Sequence, residues 1–313
     1  MTRLIHKKDI PTSLWNKDES VLKLPPQLIS EWIRLLDKYD LRDKAEEIAP
    51  KGFEGGVSRE DTDNHLAWRF TGSCARVILA ILDPKEELSE TTDAFARTFA
   101  GNKVFLADLP CGSGAATISI LTTLAELRKQ NRIPRMPLNI VILGGEISEF
   151  ARTYTSESLM ALKNELAYQA ITIDFEIINW DVCDIRSNTD LIKRLVIKSE
   201  SCQEKFLILA NFSGFLENSG KWKQAEKQIE GIFQFSSDSS SIAIWIEPNK
   251  NNVTKKFMPR MILWFEKKIS SLLQKDNVSA EKQYEVSTTK VEHPLKDHKF
   301  DTGLVIKRFN LTR

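Results

Sequence analysis

The sequence predicts an α/β fold: a doubly wound, mostly parallel sheet of seven strands behind a helical N-terminal extension. Three observations predict it. From residue 103 onward, short apolar runs alternate five times with longer segments of helical periodicity, the pattern of parallel strands covered by helices on both faces. The chain then closes with two β-rich runs, 284–291 and 303–309, too close together for a crossover helix, so they form an antiparallel pair. The first hundred residues, by contrast, read as helices and loops. The expected division is an extension over 1–100, packed on the core, and an α/β domain over 101–313.

In the extension, Pro25-Pro26 opens a helix over 27–39, where Leu28, Ile29, Trp32, Ile33, Leu35 and Leu36 share one stripe. The glycines between Pro50 and Gly56 mark a flexible loop. One long helix is predicted over 61–82, with Leu66, Phe70, Ala75, Val77, Ile78, Ile81 and Leu82 on a broad apolar face; Asp83-Pro84 stops it. A further helix lies between 88 and 99. These helices carry more apolar surface than a free-standing pair could hide, so they are expected to pack on the sheet, with the loop 50–58 as a lid over its cleft. In the α/β domain, strands are predicted at 104–109, 139–143, 171–178, 206–210 and 242–246. The helices between and after them are predicted at 115–129, 149–169, 191–197, 224–233 and 258–273.

Composition sets several classes aside. Of 313 residues, 42% are apolar and 28% charged, enough for a sizeable core. The net charge of +1 gives no global attraction for nucleic acid or an anionic membrane. It is unevenly spread, however: residues 250–313 hold 14 basic and 7 acidic residues. In that basic third, Lys250, Lys255, Lys256, Arg260, Lys267 and Lys268 are interleaved with Phe257, Trp264 and Phe265. Such a run reads either as a phosphate-contacting surface, hence a nucleic-acid partner, or as the solvated face of a helix. No apolar run is long enough to span a bilayer, and the N-terminus has no apolar leader core. Cys74, Cys111, Cys183 and Cys202 are scattered, which fits neither a disulfide scaffold nor a zinc site and suggests a reducing, cytoplasmic setting.

Chemistry is expected outside the carboxyl ends of the strands, beside the first of them. There the chain reads Asp108-Leu109-Pro110-Cys111-Gly112-Ser113-Gly114. Gly112 and Gly114 let backbone approach a ligand closely and adopt positive φ. Glu146, followed by Ile147, ends the second strand, where an acid accepts both hydroxyls of a ribose. It lies 34 residues after Gly112, further than the ~20 usual in dinucleotide sites, because a polar insertion over 128–137 precedes its strand. Asp181 and Val182 follow the third strand; the carboxylate suits an exocyclic amine of adenine and the valine suits its ring. Asp184 competes for that role.

In order and position, these motifs resemble the class I S-adenosylmethionine-dependent methyltransferases over residues 103–313. The resemblance implies a Rossmann-like sheet of strand order 3-2-1-4-5-7-6, with the last strand antiparallel and S-adenosyl-L-methionine (SAM) bound over the glycine loop. It implies a cofactor-binding set of Asp108, Pro110, Cys111, Gly112, Gly114, Glu146, Ile147, Asp181, Val182, Asn211 and Phe212. Pro110 departs from the family by standing where its common loop has a first glycine. SAM and S-adenosylhomocysteine would be the small-molecule partners, and the methyl acceptor is not identified. Two alternatives stay open: a SAM-binding regulatory or pseudo-enzyme module, and a nucleotide- or NAD-binding oxidoreductase.

On the acceptor side, Asn211-Phe212-Ser213-Gly214-Phe215 ends the fourth strand without the Pro-Pro-aromatic signature of enzymes acting on base amines. Asn211 is a candidate hydrogen-bond partner for substrate or for the cofactor amine. His293 and His298 flank the last loop as candidate bases, since an unperturbed imidazole titrates near neutrality. Glu247 is expected to cap a loop, and Arg76 to pair with either the SAM carboxylate or nearby acids.

Overall fold

A computed structural model describes residues 3–50, 56–100, 102–249, 252–268 and 284–312. The chain enters through two very short strands, β1 (Trp15–Asn16) and β2 (Val21–Leu22). Five helices follow: α1 (Pro26–Lys38), α2 (Arg42–Glu46), α3 (Arg59–Trp68), α4 (Phe70–Leu82) and α5 (Ser89–Phe99). Alternation then begins with β3 (Lys103–Asp108), α6 (Ala115–Lys129), β4 (Leu138–Glu146), α7 (Glu149–Tyr168), β5 (Ile171–Asn179) and α8 (Ile185–Ser199). It continues with β6 (Glu204–Ala210), α9 (Ser213–Asn218), α10 (Trp222–Ser236), β7 (Ser241–Pro248) and α11 (Asn252–Lys268). The closing pair is β8 (Glu285–Glu292) and β9 (Lys299–Asn310).

The sheet order is β1-β2-β8-β9-β7-β6-β3-β4-β5. Counted from β3, this contains the expected 3-2-1-4-5-7-6 series, with β9 antiparallel to both β7 and β8. Nine strands are present rather than seven. β2 pairs parallel with β8, Val21 opposite Lys290, and β1 pairs antiparallel with β2. Runs of two residues are too short to show a period; they become strands because β8 would otherwise present an unpaired edge.

Alternate residues of each central strand feed two cores, as a pleat of period two requires. Leu106, Ile142 and Ile208 join α1, α4, α6 and α7 on one face. Phe105, Ala107, Leu143 and Leu207 join α8, α10 and α11 on the other. The first core runs without interruption into the N-terminal helices. The Glu285 carboxylate of β8 also accepts from the backbone N–H groups of Glu90 and Thr91, at 2.9 and 3.1 Å. A strand late in the chain thus satisfies the open N-terminus of α5, which has no side-chain cap of its own.

Two further expectations are corrected. The helix predicted over 61–82 is two helices, because the Trp32 indole donates to the Leu66 carbonyl at 2.9 Å and so takes the acceptor that Phe70 would use in a continuous helix. The aromatics of the basic run are not interleaved on a surface: Phe257 and Phe265 are buried in the second core, while Lys255, Lys256, Lys267 and Lys268 are exposed. Arg260 lies over the Trp222 and Phe257 rings and pairs with Glu217. The helix is amphipathic, with a solvated basic face. Lys250 and the predicted helical residues 269–273 lie outside the described residues. Among the described residues, no helix is long and apolar enough to cross a membrane.

Candidate functional site

The chain leaves β5 and crosses back to β6 on the far side of β3, so the order reverses between β3 and β6. A cavity of about 840 Å³ opens there, outside the carboxyl ends of β3, β4, β5 and β6. Asp108, Pro110, Cys111, Gly112, Glu146, Ile147, Asp181, Val182, Asn211 and Phe212 all line it. Gly114 does not. It takes φ +83°, and a Cβ there would stand 2.9 Å from Ile118 Cδ1 and 3.0 Å from Thr155 Cγ2, so this glycine serves the packing of α6 against α7. Gly112, at φ +52° with nothing within 4 Å of its Cβ position, is the glycine that leaves room in the cavity.

The β3–β4–β5 side of the cavity is acidic. Thr117 donates to Asp108 Oδ2 through its N–H at 3.2 Å and its hydroxyl at 2.7 Å. The other oxygen, Asp108 Oδ1, is buried without a hydrogen-bond partner. Burial raises this carboxyl to a pKa of about 7. Glu146 Oε2 accepts from Gly112 N–H at 3.0 Å and its Oε1 from Ser148 N–H at 2.9 Å. Burial raises its pKa too, against those hydrogen bonds. Each Glu146 oxygen keeps a second lone pair. The 34-residue gap from Gly112 to Glu146 is thus closed by a direct hydrogen bond. Asp181 Oδ1 accepts from Cys183 N–H at 2.8 Å and its carboxylate lines the cavity, while Asp184 caps α8 through Arg186 N–H. Of the two aspartates, Asp181 lines the cavity and Asp184 does not. The Cys111 thiol is pushed well up by burial and by Asp108 and Glu146, so it stays protonated.

The β6–β7 side is built differently. Buried Glu247 ends β7 and gathers four donors: Phe212 N–H (2.9 Å), Ser213 N–H (2.8 Å), Ser213 hydroxyl (2.7 Å) and Trp245 indole N–H (2.7 Å). This agrees with its expected capping role and holds the start of α9. Asn211 adopts φ +58°, a conformation Asn tolerates better than most residues. Arg76 of α4 grips it: Nε and Nη2 donate to Asn211 Oδ1 at 3.0 and 2.7 Å, and Nη2 also reaches Ser73 Oγ at 3.2 Å. Arg76 is therefore neither a surface residue meeting Asp61, Asp63 or Asp83 nor part of the cavity lining. Phe212 and Phe215 stack in parallel, centroids 5.6 Å apart and 4° between planes. Both line the cavity, and Phe215 is 40% exposed.

His293 and His298 are not brought to this cavity. Their rings stack 4.9 Å apart, His293 packs edge-on to Trp32, and its Nδ1 accepts from Leu295 N–H. Burial lowers His293 to a pKa of about 4. The imidazole that does line the cavity is His65 of α3, which no sequence motif marks. Burial, helped by Arg76 and Arg69, lowers it to about 4, so it is neutral at pH 7. Trp180, also in the lining, was missed as well. His65 carried no motif, and only its place one turn before Arg69 on the same helical stretch could have flagged it. Of the loop expected to form a lid, Gly56 and Val57 line the cavity, and 51–55 lie outside the described residues.

No family model matches the chain, and no curated protein sequence matches it. Solved structures do resemble it. One is assigned as an S-adenosyl-L-methionine-dependent methyltransferase from Methanococcus maripaludis, 11% identical over 85% of this chain and 98% of its own, with a TM-score of 0.37. A second, assigned to class I of the same enzymes, comes from Listeria monocytogenes: 9% identity, 91% and 86% coverage, TM-score 0.34. A third is an rRNA methyltransferase from Streptomyces viridochromogenes: 14% identity, 69% and 82% coverage, TM-score 0.29. These likenesses concern overall fold and assign no role to any residue of this chain.

Proposed function

We propose that the chain is a methyltransferase that binds SAM against the β3–β4–β5 side of the cavity and a methyl acceptor against the β6–α9 side. One observation carries the reading. Three carboxylates, Asp108 and Glu146 at the ends of β3 and β4 and Asp181 just past the end of β5, line one cavity whose described lining includes no Lys or Arg. Such a wall accepts hydrogen bonds and repels anions. NAD or a nucleoside triphosphate would set its phosphates against it. SAM instead offers a ribose diol, an adenine amine and an ammonium, all donors, together with a positive sulfonium.

The buried, unpartnered Asp108 Oδ1 tests the fit: it needs a donor from the ligand, and an ammonium supplies one. Glu146 would take the ribose hydroxyls on its free lone pairs. Asp181 would take the adenine amine, with Val182 against the ring. When bound, SAM supplies an electrophilic methyl group. The residues' own contribution is to fix its direction and to hold the acceptor in line with it, so that positioning lowers the barrier. Phe212, Phe215 and Trp180 exclude water from that approach.

A thermal-shift and calorimetry panel of SAM, S-adenosylhomocysteine, NAD and ATP tests the reading. Stabilisation by the first two and none by the others is the expected result. Stabilisation by NAD or ATP alone would replace it with a nucleotide-binding function.

A further inference from the structure

The orientation of one amide limits what the β6 side of the cavity can offer a ligand. Asn211 directly follows β6 and lines the cavity. Its side chain has one acceptor, Oδ1, and one donor group, Nδ2. The Arg76 guanidinium carries donors only, so the face of the amide it grips must be Oδ1. Two hydrogen bonds, at 3.0 and 2.7 Å, occupy both lone pairs of that oxygen. The same two bonds hold the side chain in this orientation, on a backbone anchored by Asn211 N–H to Ile246 O at 2.9 Å. What Asn211 can offer a ligand is therefore N–H. An amine proton finds no free acceptor on this side chain, which leaves Nδ2 as the group it can turn to substrate.

The same cavity is lined by a neutral imidazole, His65, and by the stacked Phe212–Phe215 pair, of which Phe215 is 40% exposed. A hydroxyl on a flat ring satisfies all three. Its oxygen accepts from Asn211 Nδ2, its proton faces an imidazole able to take it, and its ring lies on Phe215. On the methyltransferase reading the acidic wall opposite is taken by the donors of SAM, which leaves this side for the acceptor.

Resting on the methyltransferase reading above, we propose that the Arg76–Asn211 clamp selects an oxygen nucleophile, a phenolic hydroxyl, as the methyl acceptor. A lone pair of the phenolic oxygen forms the O–C bond while the C–S bond breaks, its electron pair remaining on sulfur as S-adenosylhomocysteine leaves. The hydroxyl proton becomes strongly acidic as the O–C bond forms, so the weakly basic His65 imidazole takes it and passes it to solvent. Asn211 is here a specificity residue and Arg76 a positioning residue.

The test uses phenol and aniline, which differ only in the atom offered to Asn211, and reads their binding to the full chain by saturation-transfer NMR. The measurement is made on the free protein and again with saturating S-adenosylhomocysteine. Phenol should bind about fivefold more tightly, the value of one neutral hydrogen bond. Asn211→Asp removes the donor while keeping an oxygen for Arg76, and Asn211→Gly keeps the positive-φ backbone without a side chain. In both, the preference should vanish. Equal or tighter binding of aniline, binding of neither probe, or a preference that survives Asn211→Asp overturns the proposal. So does a loss of S-adenosylhomocysteine affinity in Asn211→Asp that 5′-methylthioadenosine does not share, since Nδ2 would then belong to the cofactor carboxylate. Calorimetry of S-adenosylhomocysteine with the unmodified chain separates the two readings. Failure there sinks the cofactor, whereas the phenol preference of the free protein still decides the clamp.

Discussion

The two sides of the cavity are made by different means. On the β3–β4–β5 side each carboxylate sits at the end of its own strand, and its hydrogen bonds come from residues near in sequence or from the adjoining turn. On the β6–β7 side Arg76 of α4 is joined to Asn211 over 135 positions, whereas the Glu247–Ser213 bond spans 34, the same as Glu146–Gly112 on the first side. The first side needs only correct strand ends to exist. The second exists only once α4 has packed beside β6 and β7. The first should thus respond to mutation mainly in ligand affinity, the second mainly in stability and acceptor choice.

Glu247→Ala is the strongest test of that contrast. It leaves four donors without an acceptor in a buried site, and stability should fall by about 4 kcal/mol, each unsatisfied group costing ~1 kcal/mol or more. Urea denaturation reads the loss. A fall of less than ~1 kcal/mol would mean that α9 relaxes to solvent and that the second side is not a built unit.

Glu146→Ala should act on the other side, weakening SAM by about 1.5–3 kcal/mol, the range for hydrogen bonds to a charged group. Asp181→Ala should weaken it less, since one amine is involved. Titration calorimetry of both variants would show whether the carboxylates divide the nucleoside in this way. Unchanged affinity in both would break the assignment of the acidic side.

The pH dependence follows from Asp108, whose pKa is raised to about 7 by burial. Because the folded value lies above the unfolded one, its contribution to stability is fully present below about pH 4 and is lost as pH rises through 7. Ligand binding has the opposite sign. A cation beside Asp108 favours the carboxylate, so SAM affinity should rise by up to about tenfold per pH unit on approaching pH 7 and then level off. Calorimetry in buffers of different ionisation enthalpy should show proton release on binding, and Asp108→Asn should abolish it.

The smallest effects separate the two loop glycines. Gly114→Ala should cost about 1–2 kcal/mol of stability, through positive φ and contact with Ile118 and Thr155, with little change in SAM affinity. Gly112→Ala should carry a similar backbone cost but should also weaken SAM, because its Cβ projects into open cavity. Thermal melts and calorimetry on the pair distinguish packing from ligand approach.

Much of this was legible without coordinates. Helix α6 matches its predicted bounds at both ends, and the predicted strands fall on β3 to β9, because period-two and period-3.6 patterns are local properties of the chain. Asp108, Gly112, Glu146 and Asp181 could be singled out for the same reason: each stands at or just past a strand end, a place that sequence alone can locate. The break between α3 and α4 could not be read, since its cause is the indole of Trp32, far back in the chain. Nor could β1 and β2, which are strands only because β8 lies beside them. The Arg76–Asn211 clamp, His65 in the lining and the burial that moves Asp108 depend on which helix covers which strand end. That was decided by tertiary packing, because hydrogen-bond partners and local dielectric are properties of neighbours in space, and the sequence determines such neighbours only through the completed fold.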